Sequence, residues 1–378
     1  MAPGRLPSRP GRRLLAAALA AACAAAPSGA RAALGDAFVD PTDGAFDASA
    51  WLASRRGFVP LIVPITEPAL GFGGAGGLVF FHPNGEPGTS STGGERPPPP
   101  SLSAALAFGT SNGSWGAGGG HMGIWRGDAI RYLGGLAYAD LNLDFYGSGD
   151  AAQRFEIRSL PIVQELVFRI AGSRLYAGGR WVFARSDVRF SGTAPAGVLG
   201  SQVTSTTSGL GAVLTWDARD TIFTPASGTR AEASFLWYDP VLGGDYRYWK
   251  LHAYQLGYFP VSDSVTAALR VDGQVAGGDV PFYAVPYVHL RGIPALRYQG
   301  TAVLVAEGEV RWEVVRRWSA VGFGGAGAVD TRRADVAWNA GGGFRYLLAR
   351  AFGLALGADL ARGPEQWAFY VVFGNAWR

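Results

Sequence analysis

The feature that most constrains this chain is an alternation of apolar and polar residues with a period of two. It runs almost unbroken from about residue 69 to 377. In TRAEASFLW (229–237), Ala231, Ala233, Phe235 and Trp237 oppose Arg230, Glu232 and Ser234. In VLVAEGEVRWEVV (303–315), Leu304, Ala306, Val310 and Trp312 oppose Glu307, Glu309, Arg311 and Glu313. In ADLNLDFY (139–146), Ala139, Leu141, Leu143 and Phe145 oppose Asp140, Asn142, Asp144 and Tyr146. Successive side chains of a strand point to opposite faces, so each segment reads as a strand with one apolar and one charged face. A sheet built of such strands separates two solvents.

A soluble sandwich would cover the apolar face with a second sheet. Three observations favour a membrane barrel instead. The alternation is too long and continuous for a small sandwich. Trp237, Trp312 and Trp338 fall on the apolar face near strand ends, as in an aromatic girdle. The opposite face carries neighbouring charges, as a wet lumen does. After residue 32 no run of 18 apolar residues occurs, so no transmembrane helix is expected. About fifteen strand-like segments start near 69, 102, 114, 128, 154, 174, 205, 228, 246, 263, 301, 318, 336, 352 and 366. Single-chain bacterial barrels have even strand counts. The expected fold is therefore an all-β transmembrane antiparallel barrel of 16 strands, with 14 as the other solution; residues 57–81 hold one strand or two.

Export is expected as well. Arg5, Arg9, Arg12 and Arg13 precede an apolar core from Leu14 to Ala26, and Ala30-Arg31-Ala32 supplies a small-x-small cleavage pattern. The core is shorter than the ~20 residues a spanning helix needs. The predicted organisation is a signal peptide over 1–32, a short periplasmic leader over 33–58 with a helix at 46–54, and the barrel over 59–378. Removing residues 1–32 lowers Lys+Arg from 33 to 28 against 29 acids, which leaves no basic surface for nucleic acid. The single cysteine, Cys23, lies in the same segment, within a poor match to a lipoprotein box, so disulfides and thiolate metal sites are excluded from the mature chain.

Motifs for small-molecule chemistry are weak. GFGGAG (71–76) fits G-x-G-x-x-G, but GLVFFHPNGE follows it where a helix would be needed. His82, His121, His252 and His289 are scattered singly, and no nucleophile elbow occurs. DPTDGAFD (40–47) has calcium-like acids with the wrong glycine spacing and reads as a turn. No enzyme, metal or cofactor is expected. Two irregular stretches stand out. PNGEPGTSSTGGERPPPP (83–100) reads as a flexible loop. Residues 277–300 instead carry Phe282, Tyr283, Val285, Tyr287, Val288 and Leu290 together with Arg291 and Arg297, and are expected to fold into the barrel interior.

LRGIPALRYQG (290–300) resembles the V/L-R-G-F/Y loop motif of the bacterial surface antigen superfamily, the barrels of BamA/TamA-like outer-membrane insertases and of two-partner-secretion transporters. WDARDTIFTPASGTR (216–230) resembles that family's Asp-x-Arg…Pro-Thr-x-Gly turn, and VAEGEVRW (305–312) its Glu-x-Arg strand. VGFGGAGAV (321–329) and NAGGGFRY (339–346) resemble two further strands, FGNAW (373–377) the terminal assembly signal, and ITEPALGFGGAGG the first strand. The resemblance implies that Arg291, followed by Gly292, reaches into the lumen to Glu309, and that Phe373, Gly374 and Trp377 form the assembly signal; the alternation puts Glu307 on the same face as an alternate partner. Gly325 stands where the family carries a second acidic partner. The 26 residues of the leader are fewer than the ~40 a periplasmic domain requires, so the chain resembles the branch without N-terminal domains.

The resemblance further implies outer-membrane lipid as a partner, in a Gram-negative cell. Two functions stay open. In one, the protein assists insertion or translocation of other chains, with unfolded outer-membrane proteins and the barrel assembly machinery as partners. In the other, it is a structural barrel or narrow passive pore without a protein client.

Overall fold

A computed structural model describes residues 38–50, 58–67, 69–82, 100–145, 153–170, 172–190, 202–330 and 336–377. The expected signal peptide, most of the 83–100 loop and residues 51–57 lie outside them. Sixteen strands form one sheet in which each pairs antiparallel with the next. In order they are β1 (Phe58–Ile65), β2 (Gly73–His82), β3 (Ser101–Thr110), β4 (Trp115–Trp125), β5 (Ile130–Phe145), β6 (Gln153–Arg169), β7 (Leu175–Phe190), β8 (Gln202–Asp217), β9 (Gly228–Tyr238), β10 (Tyr248–Ser262), β11 (Val265–Gly278), β12 (Ala302–Val315), β13 (Trp318–Val329), β14 (Val336–Ala349), β15 (Leu354–Arg362) and β16 (Trp367–Phe373). The ambiguous stretch 57–81 holds two strands, β1 and β2, which brings the count to 16.

The sheet curls until β1 and β16 approach each other, yet no backbone ladder joins them among the described residues. Wall height is uneven. β5 to β8 have 16 or 17 residues, whereas β1 has 8 and β16 has 7. A tilted strand needs about 9–11 residues to cross a bilayer. The barrel is therefore tall on one side and low at the seam.

The alternation is realised as two faces. Leu304, Val310 and Trp312 are exposed on the outside of β12, while Glu307 and Glu309 are buried in the lumen. Trp237, Trp312 and Trp338 are likewise exposed on the outer face. One segment is inverted relative to expectation. Leu141 and Leu143 pack inward against Phe155, Ile157 and the 277–300 loop, while the Asp140 carboxylate accepts from Arg158 Nε at 3.1 Å on the other face. On this tall part of the wall the residues of the 277–300 loop line the inside, so the apolar side chains of the segment turn inward to meet them.

Prolines show how the ladder is satisfied. β6 pairs with β7 straight through Pro161, but β5 and β6 lose their pairing at Ala137 and Tyr138, opposite Leu160 and Pro161. A proline has no N–H to give, so the ladder breaks on the side it faces.

Candidate functional site

Residues 279–301 link β11 to β12 and cross the lumen because their apolar side chains have two walls to fill. Phe282, Tyr283, Tyr287 and Leu296 pack with Phe155, Ile157, Val188 and Phe190 on one side. Val288, Leu290 and Ile293 pack with Val303, Val305, Val329 and Ala337 on the other. Polar groups are met as well. Lys250 Nζ donates to the Ala284 carbonyl at 3.0 Å, Arg270 Nη1 to the His289 carbonyl at 3.0 Å, and Tyr283 Oη pairs with Ser205 Oγ at 2.6 Å. The loop folds back on itself through a bridge between Tyr287 and Gln299.

Arg291 projects from the turn of this loop into a group of carboxylates. Its Nε donates to Glu307 Oε1 at 3.0 Å, and Nη1 donates to Glu309 Oε2 at 2.9 Å and to Asp359 Oδ2 at 2.8 Å. The guanidinium lies 3.5 Å from the centroid of the Phe323 ring, a cation–π contact shielded from water. Burial alone would disfavour the charged form, but Glu307, Glu309 and Asp359 outweigh it and hold the guanidinium above its ordinary pKa. The backbone is fastened too: Asn339 Nδ2 donates to the Arg291 carbonyl at 3.0 Å, and Gly292 N donates to Tyr370 Oη at 2.8 Å. Gly292 has φ +88°, and a Cβ there would lie 2.9 Å from the Gly363 nitrogen, so both conformation and space require glycine.

Glu307 is the centre of the group, with 1% of its surface exposed. Besides Arg291, it accepts from Asn339 Nδ2 at 2.9 Å and from Trp377 Nε1 at 2.6 Å. The three terminal residues singled out in the sequence therefore separate. Phe373 points outward, Gly374 turns the chain at φ +76°, and Trp377 is buried inside against Tyr258 and Glu307. Arg345 bonds both oxygens of Asp359, at 2.5 and 2.9 Å.

Asp359 was not singled out by motif, although it is the one acid in the LALGADLAR segment of β15. It supplies the carboxylate that position 325 lacks. Gly325 pairs directly with Glu307, and a Cβ there would meet the Ala306 carbonyl at 2.6 Å and Glu307 Cβ at 2.9 Å. No acidic side chain fits at that position.

The end of the barrel at the β8–β9 turn is closed differently. The β8–β9 turn, WDARDTIFTPASGTR in sequence, reaches across the mouth. Thr221 Oγ1 donates to the Phe352 carbonyl at 3.1 Å, and Arg311 Nη2 donates to the Pro225 carbonyl at 2.5 Å. Asp220 accepts from the Ala226 and Ser227 nitrogens and holds the turn closed. Residues 38–50 dock beside it. The acids of DPTDGAFD converge on one cation: Arg317 bonds Asp40, Asp43 at 2.7 Å and Asp47 at 2.7 Å. Ala48 N donates to the Leu348 carbonyl at 2.8 Å and Arg350 N to Asp47 Oδ2 at 3.1 Å. Of the helix expected at 46–54, Ser49 and Ala50 are helical and residues 51–54 lie outside the described residues, whereas Phe46 forms an extended bridge with Val39. The acidic spacing pointed to calcium chemistry only weakly; what it encodes is a three-carboxylate grip on an arginine 270 or more residues away.

Residues 138–288 match the profile of the Omp85 superfamily domain. The fold is similar to that of BamA from Haemophilus ducreyi lacking POTRA domains 1–3, at 13% identity and a TM-score of 0.57, over 85% of this chain and 70% of that one. It is similar to CdiB from Acinetobacter baumannii, at 11% identity and a TM-score of 0.57, and to CdiB from Escherichia coli, at 12% and 0.59. Each CdiB alignment covers 84% of this chain, and this chain spans 59% and 62% of those two proteins. A search of curated proteins finds no sequence match. The chain is thus a 16-stranded antiparallel β-barrel with a loop folded into the lumen, and its residues 138–288 match the Omp85 superfamily domain.

Proposed function

We propose that the protein resides in the outer membrane, after loss of a signal peptide, and assists insertion or translocation of other polypeptides through the seam between β1 and β16. The observation that carries this reading is the seam itself. Two neighbouring edge strands lack a joining ladder, and both are shorter than the ~9–11 residues a bilayer crossing needs. An unpaired backbone edge in hydrocarbon is costly, so such an edge is reactive toward another strand. Short walls also thin the adjacent bilayer, which lowers the barrier to an entering chain.

The lumen supports the same reading over a passive pore. The 277–300 loop crosses it near one end and the β8–β9 turn near the other. In this reading Arg291, with Gly292, Glu307 and Glu309, locks the loop so that the barrel keeps its shape while the seam is open. Phe373, Gly374 and Trp377 serve as the assembly signal. Clients would be unfolded outer-membrane proteins. The test is reconstitution of purified protein in lipid vesicles with an unfolded barrel client, alongside planar-bilayer conductance. Client insertion at least several-fold above protein-free vesicles, with little steady conductance, is the expected result. Steady ion conductance without any gain in insertion would overturn the reading in favour of a pore.

A further inference from the structure

The two edges of the seam are chemically unequal. β1 reads FVPLIVPI, with prolines at 60 and 64. Its ladder with β2 continues through Pro60↔Leu78 and Pro64↔Gly74 without a break. Pro161 shows what happens when a proline faces its partner strand: the pairing is lost there. In-plane hydrogen-bonding direction alternates along a strand, so Pro60, Ile62 and Pro64 all face the same way, away from β2. They face the seam. On the β1 edge the residues of that parity keep all their carbonyls, but two of their N–H donors are missing. β16, WAFYVVF, contains no proline and keeps every donor on its free edge.

We infer that β16 is the strand-accepting edge of this barrel, and that Pro60 and Pro64 keep β1 from zipping to it or capturing a client. The partner is an extended, alternating apolar and polar segment of an unfolded polypeptide, which adds to the β16 edge by backbone hydrogen bonds. Antiparallel pairing exchanges two bonds at every second residue. Against β1, an incoming strand would leave its own carbonyls unmet at the two proline positions. The same blunting explains why β1 and β16 lie close without joining, since edge prolines are a general means of preventing strand-to-strand pairing. This inference rests on the seam being the site of client entry, as proposed above.

The full chain carrying Cys23→Ser offers a cysteine-free background for the test. Two outward positions report on the two edges: Ile62 on β1, 76% exposed, and Phe369 on β16, 48% exposed. Ile62→Cys and Phe369→Cys are each reconstituted in lipid vesicles. Each is then exposed to a synthetic strand with the sequence of residues 228–238 and one central cysteine, and disulfide capture is measured. Capture at Phe369→Cys at least fivefold above Ile62→Cys is expected. Adding Pro60→Val and Pro64→Val should then either raise capture at Ile62→Cys several-fold or close the seam, seen as slowed amide exchange in β16. Equal capture at both edges, or more at β1, overturns the inference while leaving client entry intact. Capture at neither edge overturns both. Disulfide dimers of Phe369→Cys that exclude the peptide would assign the edge to a second copy and also overturn it. If the proline variants fail to fold, the two single cysteines in the proline-containing chain still decide the question.

Discussion

Replacing Arg291 by alanine should release the lumenal loop, and the size of the effect follows from what the guanidinium leaves behind. Glu307 and Asp359 are each 1% exposed, and Glu309 is buried. Asp359 keeps Arg345, and Glu307 keeps Asn339 and Trp377. Glu309 keeps no salt-bridge partner among the described residues and interacts with Arg311 only at longer range, so its charge is left poorly compensated in a dry site. Removing one partner of a buried ion pair costs about 3–5 kcal/mol. At 1.4 kcal/mol per factor of ten, the undocked loop should rise in population by roughly a hundred- to a few-thousand-fold. Glu309→Ala removes one acceptor of three and should cost about 1.5–3 kcal/mol, the range for a hydrogen bond to a charged group. The double variant should be no worse than Arg291→Ala, because it removes the stranded carboxylate together with its partner. Arg291→Lys should fall between the native protein and Arg291→Ala, since a point charge cannot bond three carboxylates through a planar fork. The assay is hydrogen exchange at Val288 and Gly300, whose amides donate to the Tyr298 and Pro286 carbonyls inside the loop, together with limited proteolysis, which tracks the open population when reclosing is fast. Strictly additive effects in the cycle, or less than a tenfold change in exchange for Arg291→Ala, would refute the lock.

Three other expectations concern different parts of the molecule. Trp377→Phe keeps the packing but takes the indole N–H from Glu307; it should lower unfolding free energy by about 1–3 kcal/mol, read by urea denaturation of the detergent-solubilised barrel. Gly325→Asp should destabilise rather than strengthen the hub, because its Cβ meets the Ala306 carbonyl at 2.6 Å; a higher denaturation midpoint would contradict this. The leader should undock in acid. Asp43 is held below the usual carboxylate range chiefly by its bond to Arg317, and Asp40 is lowered chiefly by the Thr42 backbone N–H. Lowered carboxylates contribute stability above the ordinary value near 3.9, and that contribution is lost as pH falls through the depressed values. A fluorophore on Phe46→Cys should therefore report a docked leader at neutral pH and release only well below pH 4, and release between pH 5 and 7 would show that these carboxylates do not hold it.

The period-two pattern determined the barrel on its own. Strand direction alternates with every residue, so a face that must meet lipid writes itself into the sequence, and the positions of nearly all sixteen strands were legible. The pattern did not separate β1 from β2, because Pro60, Pro64 and the glycines of GFGGAGG carry no alternation to read. It assigned Leu141 and Leu143 to lipid, since periodicity identifies two faces but not which one is inside; the 277–300 loop decides that by covering them. Arg291, Glu307 and Glu309 were legible because two motifs close together in sequence, LRGIPALRYQG and VAEGEVRW, carry them. Asp359, Asn339 and Trp377 were not, because they come from three separate elements that meet Glu307 or Arg291 only after the barrel has curled. The same holds for the grip of Asp40, Asp43 and Asp47 on Arg317. Local pattern records the solvent each residue faces, whereas a convergence of distant charges depends on closure of the sheet, which only the tertiary structure supplies.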